Sequence, residues 1–188
     1  MGITPKTSAK IMTWCVNSAL NLLVDYVKSK QKPLREGELT GYFRDQLVDY
    51  GISNRRISRV VYDLKKSNYI EFDEGDSVRF TNKAKIRFID KFVPADKADK
   101  KRRLVSFDIP ETKRRQRNAF RRSIKQMGFR QIQKSLWVCD KNVGDMVEVA
   151  SNEFGVEEYV AYFVVESSNI DLFINKILTE PKKKINNQ

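Results

Sequence analysis

The stretch GISNRRISRVVYDLKKSNYIEF carries the densest set of side chains able to do recognition chemistry. Within it Arg55, Arg59, Tyr62 and Lys66 recur at near-helical spacing and therefore share one face of a helix. Ile57, Val60, Val61 and Leu64 form an apolar stripe on the opposite side. An arginine presents a planar fork of donors that fits guanine O6 and N7, and an asparagine pairs with adenine N6 and N7. Asn54 and Arg56 lie at the exposed start of the helix, and Ser53 is placed as its N-cap. A short helix anchored by a narrow apolar stripe, with Asn54, Arg55, Arg56, Ser58, Arg59, Tyr62 and Lys66 outward, suits the major groove of duplex DNA.

Other chemistry is excluded by residue type. The chain has no histidine, which removes Ser-His-Asp and Cys-His nucleophile schemes and most zinc sites. Any metal would have to be a hard ion held by carboxylates. The two cysteines, Cys15 and Cys139, sit in the apolar stretches TWCVN and LWVCD and are read as reduced core residues.

The elements that must position the basic helix follow from the flanking pattern. A long amphipathic helix is expected from about Ser8 to Lys28, with Ile11, Met12, Cys15, Ala19, Leu22, Leu23 and Tyr26 along one face. A second is expected from about Glu38 to Val48, stopped by Gly51. After the basic helix, YIEF, EGDS and VRF read as a β-hairpin. A further helix, NKAKIRFIDKF, is capped by Thr81. This order is that of a winged helix-turn-helix. Asp73, Glu74 and Asp76 make the tip of the wing acidic, which leaves Arg79 at its base as the wing residue placed for a phosphate.

Charge is distributed unevenly. The net charge is +12, yet residues 97–134 hold 14 basic and 3 acidic side chains whereas residues 135–180 hold 2 basic and 9 acidic. Such a basic excess favours a polyanionic partner. VPADKADKKRR marks a connection between domains. Beyond it LVSFDI is a strand, and Pro110 and Glu111 open a helix that runs to about Met127. FRQI and SLWVC are strands, a helix from about Val143 to Phe154 follows, and a last strand lies near Tyr159 to Val165. The order βαββαβ is the ferredoxin-like split motif. On its first helix Lys113, Arg117, Arg121 and Lys125 form an i, i+4 row, thickened by Arg114, Arg115 and Arg122. Like charges at that spacing cost an isolated helix a few tenths of a kcal/mol per pair. The row is therefore expected to face a partner, either phosphate or an acidic protein surface, and Lys101 and Arg102 are candidates for the same role.

The segment LVSFDIPETKRRQRNAFRRSIKQMGFRQIQKSLWVC resembles the central domain of PaaX-type transcriptional repressors, and RVVYDLKKSNYIEF resembles their recognition helix and wing. The segment is also similar to the small ferredoxin-like CRISPR-associated protein that partners the spacer integrase. The resemblance covers roughly residues 102–165. In the CRISPR-associated family a carboxylate at the end of the first strand is proposed to hold a divalent metal for phosphodiester cleavage, and Asp108 stands at the matching position with Glu111 as a possible helper. The competing role for Asp108, favoured here, is to cap the helix that opens at Pro110. Typical repressors continue into a further domain, whereas this chain ends soon after SNIDLFINKILTEPKKK, so a small-molecule effector is not expected.

The expected fold is α+β. A winged helix-turn-helix DNA-binding domain spans 1–93, a basic linker 94–103, a ferredoxin-like dimerisation domain 104–168, and a C-terminal helix and basic tail 169–188. The expected function is a cytoplasmic, homodimeric regulator of transcription, a repressor, bound to double-stranded DNA at a palindromic operator without a cofactor. The operator would belong to its own operon or to a CRISPR–Cas locus. The alternative is a magnesium-dependent nuclease or spacer-integration subunit acting through Asp108, and a protein-binding adaptor is the third reading. No apolar run approaches the ~20 residues that span a bilayer, so no membrane partner is expected.

Overall fold

The computed structural model describes residues 8–30, 32–47, 52–93, 99 and 101–179, and for residues 8–13 the backbone alone. The chain forms two compact units that divide between Phe88 and Ile89.

The first unit contains α1 (Ser8–Lys30), α2 (Glu36–Leu47), α3 (Asn54–Lys66), a hairpin of β1 (Ile70–Phe72) and β2 (Val78–Phe80), and α4 (Asn82–Arg87). Its core is assembled from helical stripes. Cys15, Ala19 and Leu23 of α1 meet Leu39, Phe43 and Leu47 of α2 and Ile57, Val60 and Leu64 of α3, and Leu20 adds a second buried row on α1. The expected contributions of Ile11, Met12, Val48 and Gly51 lie outside the described side chains. Helix α2 begins two residues earlier than its apolar pattern implies, at Glu36. The Glu38 carboxylate reaches back to accept the Arg35 N–H at 2.9 Å and so closes that end. Ser53 occupies the N-cap position of α3 with extended φ/ψ, but its side chain makes no capping bond. The hairpin pairs Ile70 with Phe80 and Phe72 with Val78. It gains a third edge where Val78 N–H donates to the Leu34 carbonyl at 2.8 Å and Arg35 bridges Ser77.

Thr81 caps α4 as its sequence implies, its hydroxyl accepting the Ala84 N–H at 3.3 Å and donating to the Asn68 carbonyl at 2.7 Å. The single helix expected over NKAKIRFIDKF is instead broken. It stops at Phe88, which leaves helical geometry at φ −114°, and a separate turn, α5 (Ile89–Phe92), belongs to the second unit. Ile89 is buried there, and that burial competes with continuation of the helix.

The second unit continues with β3 (Arg102–Phe107), a 3₁₀ turn at Glu111–Lys113, α6 (Arg114–Met127), β4 (Arg130–Gln131), β5 (Leu136–Cys139), α7 (Gly144–Phe154), β6 (Val160–Val165) and α8 (Asp171–Thr179). Its sheet is antiparallel in the order β4-β5-β3-β6, the ferredoxin-like arrangement. Val105 is centred between Trp137 of β5 and Tyr162 of β6. Period-2 alternation turns Arg103, Val105 and Phe107 to the helix-covered face, where Phe107 meets Phe120 of α6 edge-on with centroids 5.4 Å apart. Arg102, one residue out of phase, lies on the other face and donates to Asn175 of α8. On α8 Ile174 is buried, while Leu172 and Phe173 stay exposed. Helix α6 ends at Gly128, whose φ of +106° an L-residue rarely adopts.

Asp108 does not cap α6. The chain leaves β3 in extended form, with Asp108 N–H donating to the Tyr159 carbonyl at 3.1 Å as one more rung beside β6. Pro110 is the cap residue of the 3₁₀ turn and Lys113 that of α6, and neither helix start receives a side-chain capping bond. The inserted 3₁₀ turn carries the first α-turn away from the strand end, out of reach of a local Asp108 cap.

Candidate nucleic-acid interface

Helix α3 is seated by Ile57, Val60 and Leu64, all at or below 1% exposure, and these hold its other face outward. Asn54, Arg55, Arg56, Ser58, Arg59, Tyr62 and Lys66 are all exposed, as the periodicity requires. They are not equivalent. Arg59 lies 3.2 Å from the Asp63 carboxylate, and its guanidinium stands 4.8 Å from the centroid of the Tyr62 ring. Lys66 approaches the same ring from the next turn, at 5.8 Å. Tyr62 is thus a half-exposed aromatic plate between two cations. Among the described residues no ion pair or side-chain hydrogen bond engages Arg55, Arg56 or Ser58. Lys65, off this face, pairs with Glu36 at 2.6 Å and stabilises the contact between α3 and α2.

The turn of the β1–β2 hairpin is organised by a carboxylate. Asp73 accepts the N–H groups of Ser77 at 2.9 Å and Gly75 at 3.0 Å, and the Arg79 Nε at 3.1 Å. The Ser77 bond, then those of Gly75 and Arg79, hold its carboxyl below the usual carboxylate range. Arg79, expected to reach a phosphate, is therefore tied to its own turn, although two thirds of its side chain remains exposed. Glu74 and Asp76 stay exposed at the tip.

In the second unit the sequence-derived basic candidates separate in the same way. Lys101 pairs with Glu166 at 3.0 Å, and Arg102 is bonded to Asn175. Lys113 donates to the Gly155 carbonyl at 2.8 Å and stands 3.5 Å from Glu158. Arg117 donates to Glu111 at 2.7 Å and to the Ile109 carbonyl at 3.3 Å, and the bond to Glu111 lowers that carboxyl. These four cations fasten the domain to itself. Arg121 and Lys125 meet no carboxylate among the described residues, and both stand over the buried ring of Trp137, at 5.9 and 5.6 Å.

Asp108 is exposed and, with Glu111, Arg117, Arg121, Lys134 and Ser135, lines a cleft of about 310 Å³ at the C-terminal end of β3. Lys134 and Trp137 have no role that the sequence alone assigns. Lys134 sits in the connection between β4 and β5, and Trp137 reads as plain core. Trp137 comes to the helix-covered face by pairing with Val105 of β3.

Residues 95–172 match the family model described as the PaaX protein central Cas2-like domain. The second unit carries a PaaX-type domain. The match runs from the connection before β3 into the first turn of α8 and is consistent with a PaaX-type protein. No curated protein and no solved structure matches the chain. The PaaX-type domain contributes the α6 cations, whereas α3 and the hairpin precede the matched segment. Among the described residues no helix is long and apolar enough to cross a membrane.

Proposed function

We propose that the chain is a PaaX-type regulator of transcription that binds double-stranded DNA through α3 as the recognition helix of a winged helix-turn-helix. The single observation that carries this reading is the outward face of α3. Arg55, Arg56 and Lys66 have no carboxylate partner among the described residues, and the buried Ile57, Val60 and Leu64 fix that face away from the core. The first unit, which ends at Phe88, then acts as the DNA-binding region, and the second, from Ile89, as a dimerisation domain with 169–188 as its C-terminal extension. Exposed Phe163, Val164, Leu172 and Phe173 support self-association of the second unit. Two recognition helices so presented match a palindromic operator with half-sites one or more turns (~10–10.5 bp each) apart. Occupancy of a promoter by such a dimer in the cytoplasm would repress it.

The cleft residues do not fit a magnesium site within one chain. No three metal-ligating side chains converge among the described residues, and Glu111 is already held by Arg117 and, at 3.6 Å, Arg114. The deciding experiment is a mobility shift of the full chain on DNA upstream of its gene against a scrambled duplex of equal length. Preference for the upstream sequence is expected. Equal binding to both would sink the regulator reading.

A further inference from the structure

The cations on and just before α6 fall into two sets, with Arg115, exposed in its first turn, outside both. Near its start Lys113, Arg114 and Arg117 are engaged by Glu158 and Glu111. Further along, Arg121, Arg122 and Lys125 line, with Asn118, a second shallow depression of about 310 Å³. Arg121 also borders the neighbouring cleft, which contains Lys134. Among the described residues no carboxylate pairs with Arg121, Arg122, Lys125 or Lys134. Trp137, 1% exposed, is a fixed platform under Arg121 and Lys125.

We propose that Arg121, Arg122, Lys125 and Lys134 form a second DNA-contacting surface, on the PaaX-type domain, that grips duplex phosphates without reading bases. It rests on the reading above only for the class of its ligand. A protein partner fits this face poorly, because protein interfaces are built around apolar and aromatic cores and are depleted in lysine. The apolar exposure of this unit lies elsewhere, at Phe163, Leu172 and Phe173. From Asn118 to Lys125 the helix rises ~10 Å, the axial span of about three phosphates on one strand. Phosphate contacts position a protein on DNA and carry no sequence information of their own.

The test is the salt dependence of binding by the full chain to a random-sequence duplex, read by fluorescence anisotropy, so that it needs no operator. The triple variant Arg121→Gln/Arg122→Gln/Lys125→Gln is expected to flatten the slope of log K against log salt by about 2 to 3, at ~0.9 for each phosphate no longer neutralised. Affinity for a selected operator should fall by a similar factor, leaving the preference intact. Lys134→Gln, outside the helix, should flatten the slope by ~0.9 alone, which guards against an unfolded triple variant. A slope unchanged in both variants overturns the proposal. So does loss of self-association in sedimentation with an unchanged slope, which would assign the face to an acidic protein surface. Failure of the operator reading registers separately, as absence of sequence preference in the unmodified chain.

Discussion

Replacing Arg55 by alanine tests the recognition chemistry proposed for α3. Arg55 is exposed in the first turn, diametrically opposite the buried Ile57, Val60 and Leu64 stripe, and has no ion pair to lose among the described residues. Its removal should leave folding stability within about 0.5 kcal/mol, the range of surface substitutions away from special contacts. A bidentate base contact contributes ~1–3 kcal/mol of discrimination, so operator affinity should fall by about 5- to 160-fold. On a scrambled duplex the deficit should be no more than that of one phosphate contact, a salt slope reduced by ~0.9. Arg59→Ala should behave differently, because its guanidinium is already shared with Asp63 and Tyr62. Freeing it from an exposed i, i+4 pair costs ~0.3–0.5 kcal/mol, which lowers the net gain available from DNA. Anisotropy titrations on operators carrying each single base-pair change, paired with urea melts, measure both effects. If Arg55→Ala weakens operator and scrambled DNA by the same factor, Arg55 is a phosphate contact and the base-reading assignment is refuted.

Three other outcomes follow from the same contacts. Leu64→Ala empties a fully buried site in the first core and should cost ~2–5 kcal/mol in urea denaturation while abolishing the preference for operator DNA, since α3 loses its seat. Asp99 is held down to about 2 by its hydrogen bonds to the buried Arg103 guanidinium, below the ~3.9 of an unfolded aspartate. Its stabilisation is therefore complete above about pH 4 and is lost as the pH falls through the folded value. Asp99→Asn should lower the denaturation midpoint at pH 6 and make little difference near pH 2; an equal deficit at both would contradict the pairing. Asp108→Ala should leave stability within about 0.5 kcal/mol, where loss of a true N-cap costs ~1 kcal/mol, and should tighten low-salt DNA binding by removing a carboxylate from a basic cleft. Magnesium-dependent cleavage by the unmodified chain, abolished in this variant, would overturn the non-enzymatic reading.

What the sequence made legible was periodic and local. The α3 stripe, the hairpin with its Gly-containing turn, the Thr81 cap and the βαββαβ order each rest on a few neighbouring residues whose spacing admits one conformation. The departures have tertiary causes. Helical spacing continues through Phe88 without a glycine or proline, yet the helix breaks there and Ile89 is buried in the second unit. The residues Asp108, Pro110 and Glu111 read as a cap and first turn, yet an interposed 3₁₀ turn moves α6 away from the strand end. At the candidate site the i, i+4 spacing of Arg59 and Asp63 was visible, but amphipathic pattern alone assigns the arginine outward without saying whether its charge is shared. Trp137 under Arg121 and Lys125 depends on the β3–β5 register, which no local pattern encodes.

Charge counting therefore overstates what the chain can offer a polyanion. The excess over residues 97–134 looks like one continuous basic surface, but Lys101, Arg102, Lys113 and Arg117 hold strands and helices together. A cation neutralised by its own fold releases no counterion when DNA arrives. On the two helices the outward cations without a carboxylate partner among the described residues include Arg55, Arg56 and Lys66 on α3 and Arg121, Arg122 and Lys125 on α6. If these six and Lys134 each met one phosphate, the salt slope would be about −6 per chain. A much steeper slope would require internal pairs such as Arg59–Asp63 or Arg79–Asp73 to open on the duplex. A slope near −3 would mean that one helix alone meets DNA, and the Arg55 and Lys125 variants identify which.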